Sequence, residues 1–450
     1  MAISHSASPA RTEERIVLMG GVPLHGEVAV SGSKNSSLPI LAAALLASRG
    51  QSVLHNVPEI SDVETMLKML EALGARVRRE GTTVVIDAQN LTSHAAPDYL
   101  VRQMRASFYV AAPLLARLRQ AEVPLPGGCV LGDRPVNYHI DAFRAMGAVI
   151  EVEHGAMNAH APTWKGAKIF LEPKNSSVGA TVNIMMAASL AEGRTVIENA
   201  AREPEIVNLA DYLRKMGALI SGDGSSTITI QGVDSLRGVE HEVFNDRIEA
   251  GTFLAAAGIT GGDILVKGLS PDHLPVFLDK LAEAGVEIES GSNWIRARSN
   301  GVLRATDVTT APFPGFATDL QPLFVTMMCR AVGRSVIEES IYSGRFNYVS
   351  ELVRMGASIE RHENLAVVNG VARLSGAVVE APDLRAGAAL VLAGLWAAGR
   401  TEVTEIKYID RGYVDMVEKL AALGAQVARQ NVAVGEVAHA ASEIKVARSA

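Results

Sequence analysis

Three groups of residues in this chain combine types and spacings that can do chemistry. The first is a loop, Pro124-Leu125-Pro126-Gly127-Gly128-Cys129, continuing through Gly132 to Arg134. Gly and Pro at this density make an exposed turn. A thiol near a guanidinium has its thiolate favoured, and with it nucleophilicity or proton transfer. A buried, inert thiol is the alternative, but the Gly and Pro neighbours favour a functional one. Cys329, inside LFVTMMCRAV, is the reverse case and reads as core.

The second group is Val30 to Ser37, where a strand turns through Gly32 into the Ser- and Asn-rich start of a helix, with Lys34 and Asn35 at the turn. Helix N-terminal amides together with an ammonium bind anions; plain helix capping explains the same residues. No GxxxxGK[ST] is present, so this is not a nucleotide P-loop. Lys174, followed by Ser176, Ser177, Val178 and Gly179, repeats the composition two units later. The third group is dispersed: Arg105, Asp319, Arg345, Asp383, Arg385 and Arg411 each open or adjoin an apolar helix. Charges at helix entrances are ordinarily caps or surface pairs. Their equivalent positions in an internal repeat would instead bring them to one end of each domain, facing the other domain.

That repeat is explicit. LEALGARVRR, FRAMGAVIEV, LRKMGALISG, LAEAGVEIES, LVRMGASIER and LAALGAQVAR hold Gly74, Gly147, Gly217, Gly285, Gly356 and Gly424, spaced by 73, 70, 68, 71 and 68 residues. Apolar residues at i, i+3 and i+4 mark a helix, the Gly a left-handed C-terminus, and the alternating residues after it a strand. A second set of glycines, Gly50, Gly193, Gly261, Gly333 and Gly399, lies 23 to 25 residues upstream of its partner, each after a small-residue helix. The unit is therefore a βαβαββ-type repeat of about 70 residues, with Ala-rich helices apolar nearly all round and so buried. Only the second unit lacks the upstream Gly, and there the Cys129 loop is inserted. Six such units exceed one core and divide into two domains of three, with the seam between Val233 and Asn245. The expected organisation is a flexible tail over 1–16, a first domain over 34–243, a second over 17–33 plus 244–430, and a tail over 431–450.

Composition sets the outer limits. The chain has 450 residues, 48% apolar and 20% charged, which excludes general disorder. Its net charge of −7 gives no overall basic footprint for nucleic acid. Two cysteines exclude a disulfide framework and a four-cysteine zinc site, and the eleven histidines contain no HExxH pair. The first residues carry no apolar signal segment. The longest apolar run, Ala386 to Gly399, is shorter than the ~20 residues of a membrane span. A cytoplasmic protein with no nucleic-acid or membrane partner is expected.

Taken in order, SGSKNSSLPILAAALL, LVRQMRASF, LPGGCVLGDRPVN, SVGATV, ENAAREPEIV, DRIEAGTF, TDLQ, DLRAGAALVLAG and IDRGY resemble the enolpyruvyl transferase family, specifically its members acting on UDP-N-acetylglucosamine. The likeness runs from about Val17 to Arg429. It implies an inside-out α/β barrel in two domains, three repeats each. It also implies transfer of the enolpyruvyl group of phosphoenolpyruvate to a sugar 3-hydroxyl by addition and elimination, with phosphate released, as the first committed step of peptidoglycan precursor synthesis. Lys34, Arg134 and Arg411 would grip phosphoenolpyruvate, with Arg385 nearby. Cys129 would donate the proton to C3 and react with the epoxide fosfomycin. Asp319 would face the hydroxyl as base, and Asp383 would help move the methyl proton. Asn35, Arg105, Arg134, Pro135, Val136, Asn137, Tyr138, Lys174, Ser177, Val178, Gly179, Ile341 and Arg345 would line the uridine-sugar pocket. No metal and no cofactor beyond the co-substrate are implied; the oligomeric state stays open.

Several residues depart from the family pattern. Asn137 stands where Asp is usual at the uracil edge, and Tyr342-Ser343-Gly344-Arg345 replaces the usual FENR. One extra residue follows Lys174. The reaction residues are intact while the acceptor pocket is altered, so a paralogue acting on another uridine nucleotide, such as UMP, is the alternative. The sister enzyme for shikimate 3-phosphate shares the fold but not the LPGGC loop. A non-enzymatic six-repeat clamp would explain the repeats and leave the site residues unexplained.

Overall fold

The computed structural model describes residues 12–125, 136–172 and 176–433. The βαβαββ unit is plainest in the third repeat. Lys168–Phe170 runs parallel to Arg194–Glu198, which pairs antiparallel with Thr227–Gln231, itself antiparallel to Leu219–Ser221. The fifth repeat has the same order: Val308–Thr309, Arg334–Glu338, Leu365–Asn369, Ser358–His362. At the turn between helix Pro204–Met216 and its strand, Gly217 has φ +115°, and the five equivalent glycines also have positive φ. That backbone is cheap only for glycine, which explains why the sequence repeats there.

Three units borrow a strand from far along the chain. The first takes Glu240–Glu242 parallel to Ser52–His55. The fourth takes His25–Ala29 parallel to Asp263–Lys267. The sixth takes Thr12–Met19 between Arg400–Thr404 and Gln426–Ala433. Borrowing makes the chain cross between the halves twice, over 30–33 and 243–246. The crossovers are tied together: Ser33 N–H donates to the Phe244 carbonyl at 2.8 Å and Asp246 N–H to the Ser31 carbonyl at 2.8 Å. Gly32 lies so close to the Asn56 carbonyl that any Cβ would collide with it. The second unit keeps three strands, Gln120–Pro124, Ala156–His160 and Val149–Glu153, with a single parallel bridge from Ala95 to Glu122 in the fourth place.

The buried residues form two clusters. One runs from Leu38 to Val243; the other joins Ile16–Val30 to Ile248–Val427. The inner helices of the second cluster, Arg247–Thr260, Gln321–Met328 and Leu384–Trp396, pack on one another and are almost wholly buried. Truncating one of their leucines, Leu390 for instance, should cost about 2–5 kcal/mol. Cys329, at the end of Gln321–Met328, is fully buried, donates its thiol to the Val325 carbonyl, and burial pushes its pKa up to about 12. The arrangement is inside-out, with apolar helices within and sheets outside. Among the described residues the sheets stay separate, so no continuous ladder of strands closes a barrel.

Two expected boundaries are corrected. Residues 12–16 are strand, not tail: Thr12–Met19 pairs along its whole length with Gln426–Ala433, from Ile16 onward it also pairs with Arg400–Thr404, and Ile16 is fully buried. The polar TEER start hides the strand, whose buried run Arg15 to Leu18 is covered only once both neighbours are in place. Likewise the last strand extends to Ala433, past the expected tail start at 431.

Candidate active site

The inner helices begin at the cleft between the two halves, and the charged residues stand at those beginnings. Ser33 caps helix Lys34–Ala43, accepting from Ser36 N–H at 3.3 Å. Lys34 N–H donates to Asp246 Oδ2 at 3.1 Å, and Asp246 in turn caps helix Arg247–Thr260. The two halves are thus joined cap to cap. Helix N-termini aimed at one cleft favour anions there.

Lys34 Nζ lies 2.7 Å from Asp62 Oδ2. Arg411, from the opposite half, donates Nε to Asp62 Oδ1 at 2.9 Å and Nη2 to Oδ2 at 3.4 Å. Lys34 and Asp62 are nearly inaccessible. Burial lowers the Lys34 pKa, Arg411 and Arg385 lower it further, and Asp62 opposes them. Burial alone would raise Asp62, but Lys34 and Arg411 outweigh it and hold the carboxyl below its ordinary range.

Asp319 sits on the turn Thr318–Leu320 that leads into Gln321–Met328. Arg345 Nη2 donates to its Oδ1; Arg385 Nε reaches Oδ2 at 3.4 Å and Asn35 Nδ2 reaches it at 3.5 Å. Arg345 and Arg385 are both buried, which opposes their charge, yet neighbouring groups, Asp319 among them, raise both pKa values. Arg385 also lies over the Tyr413 ring, 5.4 Å from its centroid. Its Nη1 is buried with no hydrogen-bond partner among the described residues. Asp383 caps Leu384–Trp396 through Oδ1, which accepts from Arg385 and Ala386 N–H, while Oδ2 accepts from Asn347 Nδ2 at 3.1 Å.

A second set gathers in the first half. Ser177 caps helix Val178–Ala188 by accepting from Ala180 N–H at 3.2 Å. Gly179 faces the His139 ring, where a Cβ would stand at 3.3 Å. His139 is held by Asn183 at 2.7 Å; burial, with Arg105 adding to it, pushes its pKa down to about 3, so the ring is neutral. Val136 precedes helix Asn137–Ala145 without a side-chain cap, with Asn137 exposed and Tyr138 reaching Glu172 at 3.5 Å. Burial and Glu172 raise the Tyr138 phenol. Ile341 N–H donates to Glu339 Oε1 at 2.8 Å in the second half. Cys129, Arg134, Pro135 and Lys174 lie outside the described residues.

Sequence reasoning missed Asp62, Asp246 and Glu339. Asp62 looks like any acid in a helix first turn, and its partner Arg411 is 349 residues away. The available signal is indirect: a nearly inaccessible lysine needs a counter-charge. Among the described residues no group of three or more His, Cys, Asp or Glu is placed to hold a metal ion.

A cleft ringed by helix N-termini, with Lys, Arg and Asp contributed by both halves of a six-unit α/β fold, defines an enolpyruvyl transferase. The enolpyruvyl transferase NikO from Streptomyces tendae matches with a TM-score of 0.85 and 26% identity, covering 94% of this chain and 100% of NikO. EPSP synthase from Acinetobacter baumannii shares the fold, with a TM-score of 0.71 at 18% identity over 93% of this chain and 100% of that one. The chain belongs to the EPSP synthase (3-phosphoshikimate 1-carboxyvinyltransferase) family, whose sequence pattern spans residues 18–420. Within it, the chain is 49% identical over 416 residues to UDP-N-acetylglucosamine 1-carboxyvinyltransferase 2 of Symbiobacterium thermophilum, covering 92% of this chain and 98% of the relative. It is 50% identical over 417 residues to UDP-N-acetylglucosamine 1-carboxyvinyltransferase of Trichlorobacter lovleyi, covering 92% and 99%.

Proposed function

We propose that this protein transfers the enolpyruvyl group of phosphoenolpyruvate to the 3-hydroxyl of UDP-N-acetylglucosamine, releasing phosphate, in peptidoglycan precursor synthesis. The observation that carries the reading is the meeting of Lys34 and Arg411, from opposite halves, on one buried anion, beside an Asp319 oriented by Arg345, Arg385 and Asn35. The names of the relatives at 49–50% identity supply the acceptor.

The chemistry follows from what such a cleft can hold. Phosphoenolpyruvate brings a phosphate and a carboxylate, and Lys34, Arg411 and Arg134 hold them, with Arg385 near. Phosphate binding displaces Asp62 from the two cations. Asp319 takes the proton of the attacking hydroxyl as its oxygen bonds to C2, and Cys129 protonates C3. The intermediate carries a methyl group and a phosphate on C2. Loss of a methyl proton, with Asp383 assisting, reforms the C=C bond as the C2–O bond to phosphate breaks. Arg385, its Nη1 unengaged by described residues, stabilises negative charge through both steps. Asn35, Arg105, Val136 to Tyr138, Ser177 to Gly179, Ile341 and Arg345, with Pro135 and Lys174, bind the nucleotide sugar. The partners are these two small molecules, no metal takes part, and the site of action is the cytoplasm. No helix of the described residues is long and apolar enough to cross a membrane.

Phosphate release from phosphoenolpyruvate, measured with UDP-N-acetylglucosamine, UDP-glucose, UMP and shikimate 3-phosphate in parallel, tests the reading. Turnover with UDP-N-acetylglucosamine supports it. Preference for UMP would transfer the assignment to the paralogue reading, and no release with any acceptor would remove it.

A further inference from the structure

Glu339 follows strand Arg334–Glu338 and is 2% exposed. Its carboxylate accepts four hydrogen bonds. Oε1 takes Thr310 Oγ1 at 3.0 Å, Ile341 N–H at 2.8 Å and Tyr342 N–H at 3.0 Å. Oε2 takes Thr318 Oγ1 at 2.9 Å. Thr318 is the residue before Asp319, and its hydroxyl oxygen also accepts Arg345 Nε at 3.1 Å. Arg345 in turn donates Nη2 to Asp319 Oδ1. A continuous chain therefore runs from Glu339 through Thr318 and Arg345 to Asp319.

The polarity of that chain is set at Glu339. A carboxylate only accepts, so the Thr318 hydroxyl must point its hydrogen at Glu339 and turn a lone pair to Arg345. Arg345 is then anchored at Nε and free to aim Nη2 at Asp319. The same carboxylate pins the backbone of Ile341 and Tyr342, two and three residues further on. We propose that Glu339 is a positioning residue: by fixing the Thr318 hydroxyl it aims the Arg345–Asp319 pair at the acceptor hydroxyl. This rests on the reading of Asp319 as the base.

Glu339→Gln keeps the shape and reverses one contact. With the amide oxygen turned to Thr310, Ile341 and Tyr342, the amide N–H₂ faces Thr318, whose hydroxyl must then turn its hydrogen away and accept from both the amide and Arg345. The Thr318 hydroxyl is then no longer fixed by an acceptor, so the anchor of Arg345 is shared and re-aimed while the Ile341 backbone keeps its own. Expected is a fall in kcat of about tenfold, the scale of one misdirected buried hydrogen bond, with the KM values for phosphoenolpyruvate and UDP-N-acetylglucosamine changed by less than about twofold. Thr318→Val should give a similar loss, Thr318→Ser should restore near-normal kcat, and the Glu339→Gln/Thr318→Val double variant should lose no more than either single one. Additive losses, or a Thr318→Val enzyme with full kcat, would overturn the proposal. Should the Glu339→Gln enzyme fail to fold, Glu339→Asp, which keeps the charge and withdraws the carboxylate from Thr318, takes its place in the cycle with Thr318→Val, and a Glu339→Asp enzyme with full kcat would overturn the proposal. Asp319→Asn separates the two layers: if it retains turnover while the coupling persists, the base assignment fails and the positioning network stands.

Discussion

Two carboxylates where the halves meet are each held by two cations, and the proposed function gives them opposite uses. Asp62 is held by Lys34 and Arg411, and Asp319 by Arg345 and Arg385. The Asp62 side chain is 5% exposed and the Asp319 side chain 27%. On the proposed function, the cations at Asp62 are the working members and the carboxylate keeps their place until a phosphate arrives. At Asp319, on the same proposal, the carboxylate works and the cations orient it. An ion pair alone does not reveal which partner is functional; exposure to the cleft, and the identity of the competing anion, do.

The largest effect should come from the exposed member. Asp319→Asn keeps the shape and removes the base, and kcat should fall by roughly 10²–10⁴ while phosphoenolpyruvate affinity is kept. A loss confined to KM would recast Asp319 as a binding residue. Next comes Arg411→Ala. Arg411 is one-third exposed, and losing one charged hydrogen-bond donor to the phosphate costs about 1.5–3 kcal/mol, so kcat/KM for phosphoenolpyruvate should drop by roughly tenfold to a hundredfold. If Arg411→Ala leaves kcat/KM intact, Arg411 does not hold the phosphate.

Asp62→Asn sharpens the contrast because two predicted effects oppose each other. The unliganded protein should lose stability, since Lys34 and Arg411 lose their counter-charge. Inorganic phosphate should then raise Tm more in the variant than in the wild type, because it no longer competes with a carboxylate. Equal Tm shifts would deny Asp62 the role of stand-in anion. The pH response follows the same logic. The folded pKa of Asp62 lies below its ordinary value of 3.8, so its stabilisation is complete above that value and is lost as pH falls through the folded one. Wild-type acid unfolding should therefore steepen below about pH 4, and Asp62→Asn should be flatter there; identical acid limbs in urea titrations would count against the pairing. The smallest effect belongs to Asn137, exposed at its helix start. Asn137→Asp should lower KM for UDP-N-acetylglucosamine by about tenfold or less, and a raised KM would mean that the amide is the better partner.

How far these residues are readable from sequence depends on whether their signal is local. Gly217 and its equivalents are legible because a left-handed helix end demands glycine at every repeat. Ser33, Ser177 and Asp383 are legible because a cap precedes an apolar run. Lys34, Asp319, Arg345, Arg385 and Arg411 became visible as candidates through their equivalent places in the repeats. Asp62 and Glu339 are not legible in this way. Each resembles an ordinary helix-start or strand-end acid, and its meaning lies in Arg411, 349 residues on, or in Thr318, 21 residues back. The strand at Thr12–Met19 was hidden for a related reason: its sheet partners lie at the opposite end of the sequence.

Running the reaction in deuterium oxide and analysing the product by NMR tests the central claim most directly. If the acceptor oxygen adds to C2 while C3 is protonated from exchangeable groups, the intermediate methyl carries solvent deuterium. Its loss of one hydrogen then leaves label at C3 of the product. The account predicts a 3-O-enolpyruvyl derivative of UDP-N-acetylglucosamine with deuterium on its vinyl carbon and one phosphate released per product. A product without deuterium, or phosphate release without the ether, would contradict it.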